Sequence, residues 1–177
     1  MSSALARARV KYVQAGLNAR VKAVETLRAA GLMVPFSLND WSGRARCAYD
    51  EQWAAGPRHP DACWDWHEVF AKYRGIDVLN LVIWGDEEHL AGLAVATTTG
   101  PSVMLHFIEG DPREDSPLRG SVLLIVLQTA ALYGQALGKV ELRIRPINDE
   151  LCALYTGVYG FGLETPYKEL PYYKRVI

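Results

Sequence analysis

One short segment of the sequence combines residues that could bind an anion. Residues 116–121 have the sequence SPLRGS and lie directly before an apolar run, 122–137, that we expect to form a helix. The N–H groups and the dipole at the start of a helix attract negative charge, so Arg119, Gly120 and Ser121 could hold a phosphate. A single Arg-Gly pair is a weak motif. The alternative is that Ser121 only caps the helix while Arg119 lies in solvent.

Glu109 and His106 are candidates for proton transfer, and both lie in a β-rich run, 103–109. A carboxylate at the end of a strand could accept a proton from an ammonium group, or it could simply face water. Side chains alternate along a strand, which predicts two faces: Leu105, Phe107 and Glu109 on one, and Met104, His106 and Ile108 on the other. His106 and Glu109 therefore act apart unless a β-bulge intervenes, and a histidine in a strand is more often simply buried.

A metal site is not predicted. His59, Asp61, Cys63 and His67 are close in sequence, and Cys63 and His67 would share a helix face. Two ligands do not complete a zinc site, and no second pair follows at ligand spacing. The three cysteines form no CxxC pair and are expected to be free thiols in a reducing compartment.

The first half of the chain is predicted to be mainly helical. Apolar residues recur at helical spacing over 4–30, before Gly31, and form the expected buried stripe: Leu5, Val10, Val13, Leu17, Val21, Val24 and Leu27. Loop-forming residues dominate 33–57, where we expect irregular structure. A second, shorter helix is predicted over 62–73.

The second half alternates strands and helices. The runs 78–84, 89–97 and 103–109 predict an antiparallel meander. After the helix 122–137, a strand at 140–145 and a helix capped by Asn148 or Asp149 and reaching about Gly157 follow, with β-like runs at 161–165 and 172–177. A strand, helix and strand in this order form a right-handed crossover between parallel strands. We therefore predict an α+β fold, with a mixed, largely antiparallel twisted sheet flanked by helices.

Size and composition indicate one folded domain over residues 1–177. The chain has a mass of 19.7 kDa, is 50% hydrophobic and 22% charged, and carries a net charge of −1. Six basic residues in 1–31 oppose only Glu25, a pattern that could touch nucleic acid but more often marks a solvated helix face. Apolar runs are too short for a membrane span or a secretory signal, so we expect a cytoplasmic protein.

The region from Val78 to Ile177 resembles the GNAT superfamily of acyl-CoA-dependent N-acetyltransferases. That family has a meander, a strand-loop-helix that binds acyl-CoA, and a strand followed by N-x-x-A-x-x-x-Y and a Gly-Phe pair. The corresponding residues here are Asn148, Leu151, Tyr155, Gly160 and Phe161. Leu151 replaces the usual small residue, and the spacing from Tyr155 to Gly160 is one residue longer. Residues 119–123 also lack the family's further glycines.

The resemblance implies roles for particular residues. Tyr155 would protonate the departing CoA thiolate, with Tyr159 a weaker substitute, or Tyr155 could simply pack in the core. Glu109 would be the general base. The acyl-CoA contacts would come from Phe107, Ile108, Arg119, Gly120, Ser121, Val122 and Asn148. Acetyl-CoA is the expected co-substrate, and no nucleophilic cysteine is needed.

The part before the meander, residues 1–75, is expected to shape the acceptor side. It contains an aromatic group that could line the acceptor pocket or form a second core: Trp41, Trp53, Trp64, Trp66 and Tyr73. The predicted reaction is direct acetyl transfer to a primary amine of an unidentified acceptor. The alternatives are an inactive GNAT-like binding module, or an enzyme with a nucleic-acid or protein acceptor. An exposed C-terminal strand would also allow a homodimer.

Overall fold

A computed structural model describes residues 3–54, 56–86 and 88–177. Its helices are α1 (Ser3–Ala29), α2 (Gly43–Tyr49), α3 (Trp66–Lys72), α4 (Val122–Ala136) and α5 (Asp149–Gly157). A π-helical turn, Asp50–Ala54, continues α2, and a 3-10 turn spans Pro60–Ala62. The strands are β1 (Ser37–Asn39), β2 (Val78–Trp84), β3 (Leu90–Thr99), β4 (Ser102–Gly110), β5 (Glu141–Ile144), β6 (Gly162–Glu164) and β7 (Tyr172–Val176).

The strands form one mixed sheet in the order β1-β2-β3-β4-β5-β7-β6. Only the β4–β5 pair is parallel, and α4 is the crossover that joins these two strands. The other neighbours pair antiparallel. The predicted fold class, the meander and the parallel crossover are thus confirmed. None of the helices in the described ranges combines the length and apolar character that crossing a bilayer requires.

A β-bulge interrupts β4 at His106. Leu105 lies opposite Ala96 and Phe107 lies opposite Val95, so His106 is an extra residue in the ladder. Leu105 and Ile108 consequently pack towards α4, whereas Phe107 packs against the opposite core. The predicted alternation is therefore wrong beyond Leu105.

The bulge brings His106 and Glu109 to the same side of the sheet. His106 stacks on Tyr73, which packs against the core that contains Trp66, and Trp66 donates a hydrogen bond to Glu109. Strict alternation predicts that these two side chains lie on opposite faces of the sheet, and the extra residue places them on the same face.

The buried face of α1 differs from the predicted stripe. Val10, Val13, Leu17 and Val21 are all more than half exposed. Of the predicted stripe, Leu27 is buried and Val24 is partly buried, and the other buried residues are Ala15, Gly16, Ala19, Arg20 and Ala23. Most of these are small, which lets α1 pack closely against α4. The helix itself and its stop at Gly31, which has a φ of +100°, agree with the prediction.

Two segments of the first half also differ from prediction. Residues 33–57 are not irregular throughout, because β1 extends the sheet and α2 begins where the Ser42 side chain accepts a hydrogen bond from the Ala45 N–H. The predicted helix 62–73 begins later, at Trp66. The Asp65 carboxylate caps it by accepting from the N–H groups of His67 and Glu68.

The sheet separates two hydrophobic cores. One lies between the sheet and helices α1, α4 and α5. The other lies under α2 and α3, and Trp53 and Trp66 are completely buried in it. Trp41, Trp64 and Tyr73 are only partly buried at its margin. The aromatic group therefore forms a second core, with Trp41, Trp64 and Tyr73 partly exposed at its edge.

Candidate active site

A cleft opens where β4 and β5 diverge. Their parallel pairing ends at Leu105 and Ile144, so the side of β4 that faces β5 has no partner strand beyond this point. The opposite side of β4 stays paired with β3 up to Gly110. The cleft has a volume of about 40 Å³ and is lined by Trp64, Leu105, His106, Ile108, Ile144, Arg145, Pro146, Ile147, Leu151 and Tyr155.

Tyr155 reaches this cleft from α5. It is 3% exposed, and its ring contacts Tyr159 and Phe161 at centroid distances of 6.3 and 5.5 Å. Burial raises the pKa of the Tyr155 hydroxyl well above its usual range. The group therefore stays protonated at neutral pH and can act as a proton donor. Tyr155 therefore both packs in the core and lies beside the cleft, so the two alternatives for this residue hold at the same time.

His106 reaches the same cleft from β4. Its Nε2 lies 2.8 Å from the Thr97 hydroxyl, and its ring stacks on Tyr73 at 4.8 Å between centroids. Burial lowers the pKa of His106, and the positive charges of Arg145 and Lys72 lower it further. The imidazole is therefore neutral near pH 7 and able to accept a proton.

Glu109 is buried away from solvent. Its two carboxylate oxygens accept hydrogen bonds from Arg58 Nε at 2.7 Å and from a terminal Arg58 nitrogen at 2.6 Å. Trp66 Nε1 donates a third, at 2.6 Å. The side chains of Arg58 and Glu109 are 6% and 4% exposed. This carboxylate is held by protein partners and does not face water at a strand end.

Arg58 is a site residue that sequence reasoning missed. Besides Glu109, its guanidinium bonds to the carbonyl oxygens of Ala62 and Trp64 and to the Tyr49 hydroxyl. It thus ties the loop before α3 to α2 and β4. The pairing spans 51 positions, and an arginine in a loop segment gives no sequence signal for such a contact.

The segment predicted to bind an anion forms the entrance to α4. Gly120 has a φ of +80°, which favours glycine, and Arg119 and Gly120 are exposed. Ser121 occupies the N-cap position, but its side chain makes no capping hydrogen bond. The first N–H groups of any α-helix have no acceptor in a preceding turn, so this end presents free donors beside Gly120.

Val122 does not obstruct this entrance, although it stands where the family pattern has a glycine. Its side chain lies over the paired strands β3 and β4 at Gly92 and Gly110. A Cβ at Gly92 would lie 2.8 Å from Val122 Cγ1. Two strand glycines thus leave the space that the valine fills, and its side chain faces the sheet.

The loop between β4 and α4 is anchored by Asp111. Its carboxylate is 1% exposed and pairs with Arg113 at 2.9 Å and with His89 Nε2 at 2.6 Å. Burial alone would raise the pKa of Asp111, but the hydrogen bonds and charge of Arg113 outweigh it and lower the pKa. Ser116 Oγ also meets the same His89 nitrogen, at 3.4 Å. In a nucleophilic triad the serine and the carboxylate contact different ring nitrogens of the histidine. Ser116 and Asp111 both contact Nε2 of His89, so these three residues do not form such a triad.

The remaining predicted cofactor contacts are distributed around the cleft. Ile108 lines it, whereas Phe107 packs against Trp64 at a centroid distance of 5.2 Å. Asn148 caps α5 by accepting from the Leu151 N–H and donates to Asp61. Among the described residues, no group of three or more histidine, cysteine or acidic side chains could hold a metal ion.

Solved structures that this chain is similar to include N-acetyltransferases. The ribosomal-protein-S18-alanine N-acetyltransferase from Escherichia coli is 20% identical over 79% of this chain and 91% of its own, with a TM-score of 0.53. A GNAT-family acetyltransferase from Listeria monocytogenes is 15% identical over 80% and 95%, with a TM-score of 0.56. The spermidine N-acetyltransferase from Vibrio cholerae, solved with CoA and spermine, is 12% identical over 80% and 95%, with a TM-score of 0.52.

The chain therefore has the GNAT fold, as the sequence resemblance implied. No protein-family model matches the sequence, and neither does any curated protein. At these identities the likeness establishes the fold, and function depends on the residues at the site.

Proposed function

We propose that this protein is an acyl-CoA-dependent N-acetyltransferase that transfers an acetyl group directly to a primary amine. The observation that carries the proposal is the unpaired edge of β4 beyond Leu105, which has Tyr155 beside it. An extended ligand with amide groups can add to such an edge like a strand. The pantetheine arm of acetyl-CoA has this chemistry.

The helix entrance after β4 supports the same ligand. Arg119, Gly120 and the first N–H groups of α4 would bind the pyrophosphate, while the backbone of Phe107 and Ile108 would bind pantetheine. Asn148 caps α5 and so fixes the start of the helix that carries Tyr155. The co-substrate supplies the activated acyl group, and the protein supplies binding, orientation and proton transfer.

The reaction needs a base for the acceptor ammonium and an acid for the departing thiolate. The acceptor ammonium first loses a proton to a base, and its nitrogen then attacks the thioester carbonyl carbon. The carbon–sulfur bond breaks, and the thiolate takes the proton of the Tyr155 hydroxyl. The attacking nitrogen loses its second proton as the amide forms, and this proton restores the Tyr155 hydroxyl. His106 fits the base role better than Glu109, because His106 lines the cleft while both oxygens of Glu109 are bound by Arg58. In this proposal Glu109 positions Arg58 and Trp66 behind the site.

A GNAT-like binding module without catalysis is the second candidate function. The observation that favours it is the engaged Glu109, since a carboxylate held by an arginine and a tryptophan is poorly placed to take a proton from a substrate. Such a module would bind acetyl-CoA without turnover. Binding and turnover must therefore be measured separately.

We expect acetyl-CoA to stabilise the protein and Gly120→Ala to weaken this effect. At about 100 times the dissociation constant, ligand should add ~2.7 kcal/mol, or about 5–10 °C in Tm for a chain of this size. A side chain at Gly120 would strain the left-handed backbone and crowd the pyrophosphate. We expect at least a tenfold loss of affinity, about 1.4 kcal/mol, by calorimetric titration.

Gly138→Ala is the matched control for this experiment. Gly138 has a φ of +74° and open space around its Cβ, as Gly120 does, but it lies at the opposite end of α4. Gly138→Ala should lower the free energy of unfolding by an amount similar to Gly120→Ala and leave acetyl-CoA affinity unchanged. If the wild-type protein shows no shift with acetyl-CoA, the proposed function fails.

His106 should control the acid side of the pH profile. Because its pKa lies below the usual value of about 6.5, kcat/KM should fall only below that pH. His106→Gln should lower kcat/KM at pH 8 by about 10²-fold and remove this acid limb. Any titration of the acceptor itself is common to both proteins, so the difference between their profiles belongs to His106.

His59→Gln serves as the control, because His59 is largely exposed in the loop before α3. It should leave the profile of kcat/KM against pH unchanged. A His106→Gln protein with the wild-type profile would reject His106 as the base and return that role to Glu109.

A further inference from the structure

A second cavity lies away from the proposed transfer cleft. It has a volume of about 770 Å³ and lies between α1, the segment after β1, α3 and the first residues of β2. It exists because β1 pairs only with Val82–Trp84, which leaves the outer edge of β2 at Val78–Leu81 without a strand partner. Nothing in the acetyl-transfer chemistry uses this space.

Positive charge dominates the cavity. Its lining includes Arg9, Arg20, Arg46 and Arg74, against a single carboxylate, Asp40. Arg9, Arg46 and Arg74 are exposed at the rim, and Arg20 is buried at 9% exposure. Converging guanidinium groups favour a carboxylate or a phosphate, which each can bind through paired N–H donors.

Arg20 is incompletely satisfied by the protein. One terminal nitrogen donates to the Asn80 carbonyl oxygen at 2.6 Å and lies 3.7 Å from Asp40, whose side chain is 65% exposed. Arg20 Nε and Asn80 Oδ1 have no hydrogen-bond partner within the described part of the chain. Burial lowers the pKa of Arg20 despite Asp40. An orphaned buried donor and acceptor are costly unless something else pairs with them.

The remaining walls are aromatic and apolar. Trp41 stacks on Phe70 at 4.2 Å between centroids, and both line the cavity together with Tyr12 and Tyr73. Val13 and Leu17, from the exposed stripe of α1, complete the rim. Flat apolar walls around charged groups suit a ligand with a ring or chain attached to an anionic head.

We propose that this cavity binds a small organic anion, with a carboxylate or phosphate against the arginines and an apolar body against Trp41 and Phe70. Tyr73 links the two sites, because it lines the cavity and stacks on His106. A ligand in the cavity thus touches the ring that packs on the proposed base. The cavity is nevertheless separate from the acyl-CoA cleft, since its lining shares no residue with that of the cleft.

The test is calorimetric titration of the full chain with phenyl phosphate, which carries both features. We expect it to bind at least tenfold more tightly than inorganic phosphate or benzyl alcohol, each of which carries only one. Titration with phenylacetate separates the two anionic heads, and the tighter ligand shows which head the cavity prefers. Binding should persist in saturating acetyl-CoA, so failure of the proposed acetyl transfer would leave this result intact.

Charge reversals at the exposed rim locate the site without disturbing the core. Arg74→Glu and Arg46→Glu should each lower phenyl phosphate affinity about tenfold. Arg28→Glu makes the same charge change at the exposed end of α1, outside the cavity, and should have little effect. The proposal is overturned if neither phenyl phosphate nor phenylacetate binds, if acetyl-CoA displaces the bound anion, or if Arg74→Glu binds it as well as Arg28→Glu does.

Discussion

Tyr155→Phe should lower kcat for acetyl transfer by about 10²-fold or more while leaving acetyl-CoA affinity within about twofold, since general acids typically contribute 10²–10⁴-fold. The substitution removes one hydroxyl from a ring that keeps its contacts with Tyr159 and Phe161. Packing should therefore persist, and the loss should concern proton donation to the thiolate. Steady-state kinetics and calorimetric titration with acetyl-CoA measure the two quantities separately.

Tyr159→Phe is the matched control, because Tyr159 lies just beyond the end of α5 and is outside the cleft lining. It should retain nearly full kcat. Since burial raises the pKa of Tyr155, wild-type kcat should show no loss of this acid up to about pH 10, the usual tyrosine value. Full activity in Tyr155→Phe, or loss in Tyr159→Phe alone, would refute the assignment of Tyr155 as the acid.

The sequence predicts the second half of the chain well because its signals are local. Turn residues separate the three meander strands, and Asn148 caps α5 as expected. The bulge at His106 has no such signal. It depends on how β3 and β4 pair, and a single extra residue reverses which side chains face each core. The positions of His106 and Glu109 could therefore be learned only from the structure.

The first half is predicted less well because its residues are arranged by distant contacts. Two faces of α1 recur at helical spacing, one of larger apolar residues and one of alanine and glycine. Close packing against α4 selects the small face and leaves Val10 and Val21 exposed. The helix entrance near Gly120, in the second half of the chain, also depends on distant contacts, because the glycines that accommodate Val122 lie on β3 and β4.

Arg58→Met should destabilise the protein by about 3–5 kcal/mol, since removing one partner of a buried ion pair leaves the other charge uncompensated. Glu109 would keep its bond from Trp66 but lose both bonds from the guanidinium. A domain of this size has a total stability of only about 5–15 kcal/mol, so the loss is a large share. In urea unfolding at pH 7, this loss of stability should lower the midpoint and leave the dependence of the unfolding free energy on urea concentration unchanged.

The double variant Arg58→Met, Glu109→Gln should be less destabilised than the sum of its single changes, because neither charge is then left alone. Lys174→Met, which breaks the exposed pair with Glu164, is the control and should barely move the urea midpoint. The same proteins decide the role of Glu109. A Glu109→Gln protein that is as stable as wild type and inactive would make Glu109 the base and contradict its positioning role. If Glu109 only holds Arg58, Glu109→Gln should lower the free energy of unfolding while the folded protein retains turnover.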